Sequence, residues 1–316
     1  MARVLVTREL PEGGLDPLLD EGHEVIQRSG DTPYTPAELV ALAETVDAVV
    51  CLLTDRIDEA VLASGARGSL RVVGNVAVGY DNIDVEAATR LGVAVCNTPG
   101  VLDETTADVA FLLILAASRL ASEAERDLRA GAWSGWGINQ YLGNDVHGAT
   151  LGLVGYGRIG RAVARRASGF GMQVLHHTRH RTDMPGYVPE LDALLSECDI
   201  LSVHVPLRHD TRHLIGAREL ALLRPYAVVV NTSRGPVIDE EALADALHDG
   251  TVFAAGLDVY EEEPRVHPRL LSAPRTVLLP HIGSASRATR TQMARVACQG
   301  VCAVLDGRKP PNLVTA

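Results

Sequence analysis

Short apolar segments alternate with amphipathic segments over the first hundred residues. Five of the apolar segments have the length and composition of strands: Arg3–Val6, His23–Ile26, Ala48–Leu53, Arg71–Val73 and Val93–Cys96. Between them, Thr35–Glu38 is a capping box with proline at the first helical position, and Asp84–Leu91 is a short helix that ends at Gly92. Strands that alternate with helices predict a layer of parallel strands covered by helices.

The same alternation continues through the rest of the chain. After the breaker cluster Asn97–Gly100, a helix is predicted over Thr105–Arg119 and a second one up to Ala130. Four further strands are then predicted, with helical segments between them: Asp199–Val205, Ala227–Asn231, Ala254–Val259 and Val277–Leu279. The last helix covers Ala285–Leu305. These strands predict a second doubly wound sheet, whose ligands collect at the carboxyl ends of the strands.

The most informative pattern begins at Thr150, where a strand, a glycine-rich turn, a helix and a second strand at Gln173–His176 follow one another. The turn contains three glycines in the spacing G-x-G-x-x-G: Gly155, Gly157 and Gly160. In such a unit the first glycine allows the tight turn, the second lets the backbone approach a pyrophosphate, and the third lets the helix pack closely on the strand. The helix N-terminus then offers N–H groups and a partial positive charge. The stretch therefore predicts a dinucleotide-binding site.

Length and composition narrow the class of protein. A chain of 316 residues is too long for one ordinary core, so two domains are expected, and the first hundred residues carry no phosphate-binding glycines. The longest apolar run, Val109–Ala117, is far too short to span a membrane, and Met1-Ala2-Arg3 leads straight into a strand pattern. A net charge of -11 disfavours nucleic acid and acidic membranes as partners. We expect a soluble, cytoplasmic protein.

The sequence lacks the motifs that are typical of several other kinds of catalysis. Lys309 is the only lysine, which excludes a Walker P-loop and disfavours Schiff-base chemistry, and the chain has neither a G-x-S-x-G nor an H-E-x-x-H motif. Five scattered cysteines favour reduced thiols over disulfides. Cys298 and Cys302 share a helix face without further ligands nearby in the sequence, so we expect core packing and no metal site.

Three polar residues lie at predicted strand ends near the dinucleotide site: Arg234, Glu263 and His281. Each alone has an ordinary structural explanation, as a surface turn, a solvated acidic run or a buried histidine. Together they supply an arginine for a carboxylate, an acid that orients a histidine, and a histidine that exchanges a proton near neutral pH. The set therefore indicates acid–base chemistry on a carboxylate-bearing substrate.

Five segments resemble the signatures of the D-isomer-specific 2-hydroxyacid dehydrogenase family, in order and over nearly the whole chain: Asn75–Asp84, Gly155–Gly160, Asn231–Pro236, Gly256–Pro264 and Pro280–Ser284. Within the family, the chain most resembles glyoxylate/hydroxypyruvate reductases. The resemblance implies an α/β fold in which a Rossmann dinucleotide-binding domain, residues 99–283, is inserted into a flavodoxin-like substrate-binding domain, residues 1–98 and 284–316. It also implies an active site in the cleft between the two domains.

The resemblance assigns roles to individual positions. Arg234 would hold the substrate carboxylate and polarise the ketone, His281 would donate the proton, and Glu263 would hydrogen-bond His281. The expected substrate contacts also include Leu52, Val78 and Gly79 of the same chain. A further expected contact is Trp136 of the partner subunit. Asp258 would contact the nicotinamide and Thr106 the pyrophosphate region. The full set of expected cofactor contacts is Thr106, Gly155, Gly157, Arg158, Ile159, Gly160, Thr178, Arg179, Arg181, Pro206, Thr211, Thr232, Asp258 and Gly283.

Three functions stay open on the sequence. The first is reduction of a small 2-oxoacid such as glyoxylate or hydroxypyruvate, which the apolar loop Cys51–Thr54 favours because it has little charge for a phosphorylated substrate. The second is another activity of the family, such as that of a phosphoglycerate dehydrogenase, for which Arg56 is close enough to serve. The third is a non-catalytic, NAD(H)-sensing protein like the transcriptional corepressors that share this fold.

Two further expectations concern the cofactor and the assembly. NAD-binding units place an acid at the end of the second strand, but Gly160–Thr182 contains none, and Thr178 is followed by Arg179-His180-Arg181. A hydroxyl and two guanidinium groups suit a 2′-phosphate, so NADPH is expected over NADH, which stays possible. Trp133 and Trp136 lie in one glycine-rich loop. With the resemblance, they suggest a homodimer joined through the nucleotide domain, although they could instead pin the loop to its own domain.

Overall fold

The computed structural model describes residues 1–314, and its chain divides into two compact units. The first consists of Met1–Leu102 together with the described chain from Ala285, and the second is Asp103–Ser284. The sequence places the domain boundaries after residue 98 and before residue 284. In the structure Asn97–Gly100 belongs to the first unit.

The first unit is built on five parallel strands in the order β2-β1-β3-β4-β5. The strands are β1 (Arg3–Val6), β2 (Glu24–Gln27), β3 (Ala48–Cys51), β4 (Val72–Asn75) and β5 (Ala94–Cys96). The helices between them are α1 (Asp16–Asp20), α2 (Pro36–Ala43), α3 (Glu59–Arg67) and α4 (Val85–Leu91). Every residue of β3 and β4 is buried, as expected for central strands with helices on both faces.

Side-chain caps fix where these helices begin. The Oγ1 atom of Thr35 accepts the N–H of Glu38, whose carboxylate accepts the N–H of Thr35, so the predicted capping box forms. The side chains of Asp58 and Asp84 accept backbone N–H groups in the first turns of α3 and α4, and α4 ends at Gly92 with a φ of +71°. A left-handed residue at this position ends a helix, and glycine adopts it without strain.

The second unit contains six parallel strands in the order β11-β10-β9-β8-β6-β7. They are β6 (Thr150–Val154), β7 (Gln173–His177), β8 (Ile200–Val203), β9 (Val228–Asn231), β10 (Ala254–Leu257) and β11 (Thr276–Leu278). The helices are α5 (Asp103–Ser118), α6 (Ala121–Arg129), α7 (Arg158–Ser168), α8 (Leu191–Glu197), α9 (Ala217–Ala221), α10 (Glu240–Asp249) and α11 (Pro268–Leu271). The chain leaves β6 toward β7 on one side and later returns to β8 on the other, so the strand order reverses beside β6. A doubly wound sheet binds its ligand at this switch point.

Two helices lie closely on the sheets, each against a strand glycine. A Cβ on Gly256 of β10 would lie 2.8 Å from the Cβ of Leu113 in α5. The last helix, α12 (Arg287–Leu305), returns to the first unit, where a Cβ on Gly74 of β4 would lie 2.7 Å from a methyl group of Val301. Among the described residues, no single helix is long and apolar enough to cross a membrane; the bent pair α5 and α6 passes that test only when taken together.

The predicted elements form, and the differences lie at their ends. The apolar run from Ala48 predicts a strand up to Leu53. In the structure β3 ends at Cys51, because the next residues turn and the N–H of Leu52 donates to the carboxylate of Asp55. Similarly, α12 begins at Arg287 instead of Ala285, because the hydroxyl of Ser286 caps it. Apolar residues at strand ends belong to the loops that follow, so hydrophobicity alone overestimates strand length.

Candidate active site

The glycine-rich turn after β6 has one open and two crowded positions. A Cβ on Gly155, whose φ is +96°, would lie 2.6 Å from the carbonyl oxygen of His204, and a Cβ on Gly160 would lie 2.3 Å from that of Gly155. Gly157 differs: no described atom lies within 4 Å of the place its Cβ would occupy. The first and third glycines are therefore needed for packing, and the second leaves space above the helix N-terminus.

These residues fit a dinucleotide. The helix α7 has eleven residues, begins at Arg158 and has no side-chain cap among the described residues, so its first N–H groups stay available to an anion beside Gly157. The hydroxyl of Thr232, at the end of β9, is buried without a hydrogen-bond partner in the described chain. A bound polar group is the ordinary explanation for such an atom.

The end of β7 is cationic, as the sequence predicts, but it has an acidic neighbour that the sequence did not reveal. Arg179 and Arg181 are exposed, and the hydroxyl of Thr178 donates to the carbonyl oxygen of His180 at 2.6 Å. The guanidinium group of Arg179 lies 3.8 Å from the carboxylate of Asp210, which also pairs with Arg208 at 2.9 Å. Asp210 is 31 residues away in sequence, so only the fold brings it to Arg179.

The loop after β8 is closed by its own side chains. The Oγ1 atom of Thr211 accepts the N–H of Arg208 at 2.8 Å and donates to the carbonyl oxygen of Pro206 at 2.7 Å. Hydrogen bonds within the loop thus occupy the hydroxyl of Thr211. The contacts predicted between the cofactor and Pro206 and Thr211 stay predictions.

Asn231 organises the loop that carries Arg234. Its side-chain Oδ1 accepts the N–H of Ser233 at 2.9 Å, and its Nδ2 donates to the carbonyl oxygen of Arg234 at 2.9 Å. A Cβ on Gly235 would lie only 1.8 Å from the carbonyl carbon of Tyr260, so glycine alone permits this approach of two backbones. The Arg234 loop is thereby packed against the segment that leads to Glu263.

Glu263 and His281, 18 residues apart, are joined by a direct hydrogen bond. The Nδ1 atom of His281 lies 2.8 Å from Oε2 of Glu263, and Oε1 of Glu263 accepts the N–H of Tyr260 at 3.0 Å. Burial by itself would raise the pKa of Glu263. The hydrogen bond and charge of His281, the N–H of Tyr260 and the charge of Arg234 outweigh burial and hold that pKa below its ordinary value. The three predicted residues therefore lie within electrostatic reach of one another.

Asp258 positions the segment that carries His281. Its Oδ1 accepts the N–H of Ile282 and its Oδ2 the N–H of Gly283, both at 2.7 Å. These bonds hold His281 at a φ of +53°, in the left-handed region that side chains seldom adopt. Burial raises the pKa of Asp258, against the two backbone donors. The resemblance implies that Asp258 contacts the nicotinamide, and in the structure both of its carboxylate oxygens accept backbone N–H groups of the two residues after His281.

Gly283 and Thr106 are neighbours of Asp258. A Cβ on Gly283 would lie 3.0 Å from Oδ2 of Asp258 and 3.6 Å from the Oγ1 of Thr106. Thr106 is buried in the first half of α5. The two residues are thus brought together as part of one wall of the second unit, and their predicted contacts with the cofactor stay predictions.

In the first unit, three asparagines hold the loops that contain the predicted substrate contacts. Asn82 donates to the carbonyl oxygens of Leu52 and Asp55 at 3.1 and 3.0 Å. Asn75 donates to the carbonyl oxygen of Gly79, and Asn97 to that of Val78, both at 2.8 Å. These side-chain amides, of which Asn75 is buried and Asn82 and Asn97 are partly buried, hold the carbonyl oxygens of the loops in place.

The loop with both tryptophans is exposed in the single chain. Trp133 is 50% exposed and Trp136 is 80% exposed. The indole of Trp136 is therefore not buried in its own unit, whereas Trp133 is half covered by its own chain, so both explanations of the loop stay predictions.

Comparison with known proteins identifies the family. Residues 111–283, more than half of the chain, match the model of the D-isomer specific 2-hydroxyacid dehydrogenase, NAD binding domain. The glyoxylate reductase of Korarchaeum cryptofilum is 47% identical over 99% of this chain and 95% of its own length. The structure resembles the TT0316 protein of Thermus thermophilus, with 43% identity, a TM-score of 0.93 and coverage of 99% of this chain and 100% of that one.

A second solved structure is informative about the cofactor. The NADPH-dependent glyoxylate/hydroxypyruvate reductase of Sinorhizobium meliloti, in complex with NADP and malonate, is 35% identical, with a TM-score of 0.87 over 99% of this chain and 96% of that one. Such likenesses extend over both units. The chain therefore belongs to the D-isomer-specific 2-hydroxyacid dehydrogenase family and is an NAD(P)-dependent 2-oxoacid reductase.

Proposed function

We propose that the protein reduces glyoxylate or hydroxypyruvate to the corresponding 2-hydroxyacid, with NADPH as the preferred reductant. The observation that carries this proposal is the pair of Glu263 and His281 within electrostatic reach of Arg234. Curated relatives that are 42% and 47% identical over nearly the whole chain are glyoxylate reductases. They support the choice of a small 2-oxoacid.

The chain's own residues divide the reaction between them. Arg234 binds the substrate carboxylate and polarises the ketone oxygen, since a guanidinium group matches a carboxylate with two parallel donors. Glu263 engages Nδ1 of His281, so Nε2 is the ring atom left to give a proton to the ketone oxygen. When bound, the reduced nicotinamide supplies the hydride that the carbonyl carbon accepts. Arg234 and the proton of His281 then stabilise the charge that builds on the oxygen.

A small, unphosphorylated substrate is favoured by the loop after β3. Its residues Leu52, Leu53 and Thr54 carry no charge. Arg56, which would have to bind a substrate phosphate, is 3.4 Å from the carboxylate of Asp58 and is strongly exposed. Hydroxypyruvate and glyoxylate therefore fit better than 3-phosphohydroxypyruvate.

The substrate assignment is tested by following NADPH oxidation with glyoxylate, hydroxypyruvate, pyruvate, phenylpyruvate and 3-phosphohydroxypyruvate. We expect the highest kcat/KM with one of the first two. Dominance of the phosphorylated substrate would overturn the assignment, and cofactor binding without turnover of any of the five would favour a sensing function.

The preference for NADPH is supported by the end of β7. Thr178, Arg179 and Arg181 lie there, and Gly160–Thr182 contains no carboxylate to accept from the ribose hydroxyls. Arg208 adds a further guanidinium group, and it shares with Arg179 the partner Asp210, whose carboxylate offsets part of their positive charge. Guanidinium groups bind a 2′-phosphate through charge-assisted hydrogen bonds, whereas an acid would repel it.

A homodimer is the assembly that the exposed side chains support. Five large apolar residues are exposed within one short segment of the second unit: Leu128, Trp133, Trp136, Ile138 and Leu142. Exposed apolar residues concentrated in this way are typical of an interaction surface. We assign a second copy of the chain as the occupant, with Trp136 reaching the substrate site of the partner.

A further inference from the structure

Three side chains that could bind a metal meet in the first unit, away from the residues used above. Glu21 follows α1, His23 precedes β2, and Cys302 belongs to α12. One ligand atom from each lies within 4.8 Å of the other two. Glu21 and His23 are about 280 positions from Cys302 in the sequence. The sequence alone therefore gives no sign of this cluster.

His23 provides an independent sign that something binds here. Its side chain is 7% exposed, and its Nε2 atom is buried without a hydrogen-bond partner in the described chain. Glu21 is the nearest acid, at 3.5 Å, which is too long for a hydrogen bond. A buried polar atom without a partner is rare, and a ligand is one of its ordinary explanations.

The distances and charges suit a divalent transition metal. In a tetrahedral site with ligands at about 2.1 Å, two ligand atoms are about 3.4 Å apart, close to the 3.5 Å between Oε2 of Glu21 and Nε2 of His23. A thiolate and a carboxylate together neutralise a 2+ ion, and imidazole and thiolate are ligands that zinc prefers. Asp306 lies near but is held by Arg308 at 2.7 Å, which leaves the fourth position to water.

We propose that Glu21, His23 and Cys302 form a binding site for Zn²⁺ or a similar divalent transition metal, which joins the start of the chain to its last helix. This site is independent of the proposed reaction. The bound ion closes a loop of about 280 residues, and such a link stabilises the folded unit by limiting the unfolded chain.

Three existing interactions oppose the ion, and one of them is the hydrogen bond that the thiol of Cys302 donates to the carbonyl oxygen of Pro17 at 3.4 Å. The N–H of Ala2 donates to Nδ1 of His23 at 3.3 Å, and this long bond is lost when Nε2 binds a metal and Nδ1 carries the ring proton. Burial, followed by the charge of Glu21, raises the pKa of the Cys302 thiol to about 12, so the thiol must release its proton to the ion. The other groups that face the thiol are Cys298, Asp306 and, through its pair with Glu21, Arg308.

The test titrates the purified, chelator-treated full chain with Co²⁺ and follows the near-ultraviolet sulfur-to-cobalt charge-transfer absorption. We expect one equivalent to bind, with the absorption lost in Cys302→Ser and kept in Cys298→Ser, the matched cysteine on the same helix face. Glu21→Gln changes a side chain that is 38% exposed, so we expect it to leave the fold intact while weakening binding by at least about tenfold. Zn²⁺ should displace Co²⁺ and raise the melting temperature of wild type but not of Cys302→Ser.

Each readout can overturn the proposal. Wild type without a charge-transfer absorption, or the same absorption in Cys302→Ser, would show that the cluster does not bind the metal through this thiol. Equal Co²⁺ affinity in wild type, Glu21→Gln and His23→Ala would show that Cys302 acts without the other two. Because the probe reports a sulfur–metal bond and not turnover, its outcome is distinct from failure of the proposed reductase activity.

Discussion

The Nδ1 atom of His281 lies 2.8 Å from Oε2 of Glu263, and the other oxygen of that carboxylate accepts the N–H of Tyr260 at 3.0 Å. The carboxylate is therefore fixed by the backbone on one side and orients the imidazole on the other. Asp258 accepts the N–H groups of Ile282 and Gly283, the two residues after His281. Both the imidazole ring and its backbone are therefore held in place before any substrate binds. Such preorganisation is what proton transfer to a ketone oxygen requires.

Glu263→Gln should lower kcat/KM and remove the acidic step that Glu263 contributes to the pH profile. Despite burial, interactions with His281, the N–H of Tyr260 and Arg234 hold the pKa of Glu263 below its ordinary value, so wild type keeps the ionised carboxylate that orients the imidazole until the pH falls through that lowered pKa, whereas the neutral amide of the variant has no such step. The measurement is kcat/KM against pH for wild type and variant. Glu262→Gln, which removes an exposed carboxylate paired with Arg265, is the matched control and should leave the profile unchanged. Superimposable profiles for Glu263→Gln and wild type would contradict the role of Glu263.

Gly157→Ala and Gly160→Ala should fail in different ways. A Cβ at Gly157 meets no described atom, so the variant should unfold at the wild-type temperature but bind the cofactor at least about tenfold more weakly, since its methyl group lies where the pyrophosphate approaches. A Cβ at Gly160 meets the backbone, so that variant should lose about 1–3 kcal/mol of stability. Thermal unfolding and cofactor titration separate the two effects. Unchanged cofactor affinity in Gly157→Ala would contradict the assigned site.

Arg179→Ala should lower kcat/KM with NADPH while leaving that with NADH nearly unchanged, because only NADPH carries the 2′-phosphate. Asp210→Asn should act in the opposite direction, since it removes the acid that shares Arg179 and Arg208 and leaves more positive charge for the phosphate. The quantity to compare is the ratio of the two efficiencies in each protein. A wild type that uses NADH equally well or better would refute the preference for NADPH.

Trp136→Ala should alter substrate preference without destabilising the single chain, because the indole is 80% exposed there and supports no core. Light scattering of the wild type should give the mass of two chains, and the kcat/KM for glyoxylate and phenylpyruvate should shift relative to each other in the variant. Leu271→Ala removes another exposed apolar side chain outside this segment and serves as the control. A monomeric wild type, or an unchanged preference, would count against the proposed partner contact.

The sequence predicts most of the fold because its signals are local. The glycines at 155, 157 and 160, the capping box at Thr35 and the apolar strands each act within a few residues, and each is found in the structure. The catalytic residues Arg234, Glu263 and His281 can also be predicted from the sequence, because parallel strands bring their carboxyl ends to one edge of the sheet.

What the sequence could not reveal depends on contacts between distant segments. The pairing of Arg179 with Asp210, the hold of Asp258 on the backbone after His281, and the meeting of Glu21 and His23 with Cys302 arise only when the chain folds. The expected cytoplasmic location stays a prediction, because the fold does not indicate where in the cell the protein is found.

The central claim is that His281 and Arg234 carry out the reduction of a 2-oxoacid. It is tested most directly by the rate of NADPH oxidation with glyoxylate, measured for wild type, His281→Ala and Arg234→Ala at equal concentrations of folded protein. The account predicts rapid turnover by wild type and a loss of about 10²–10⁴-fold in each variant, with cofactor binding retained. A wild type that turns over neither glyoxylate nor hydroxypyruvate, or a His281→Ala variant as active as wild type, would contradict it.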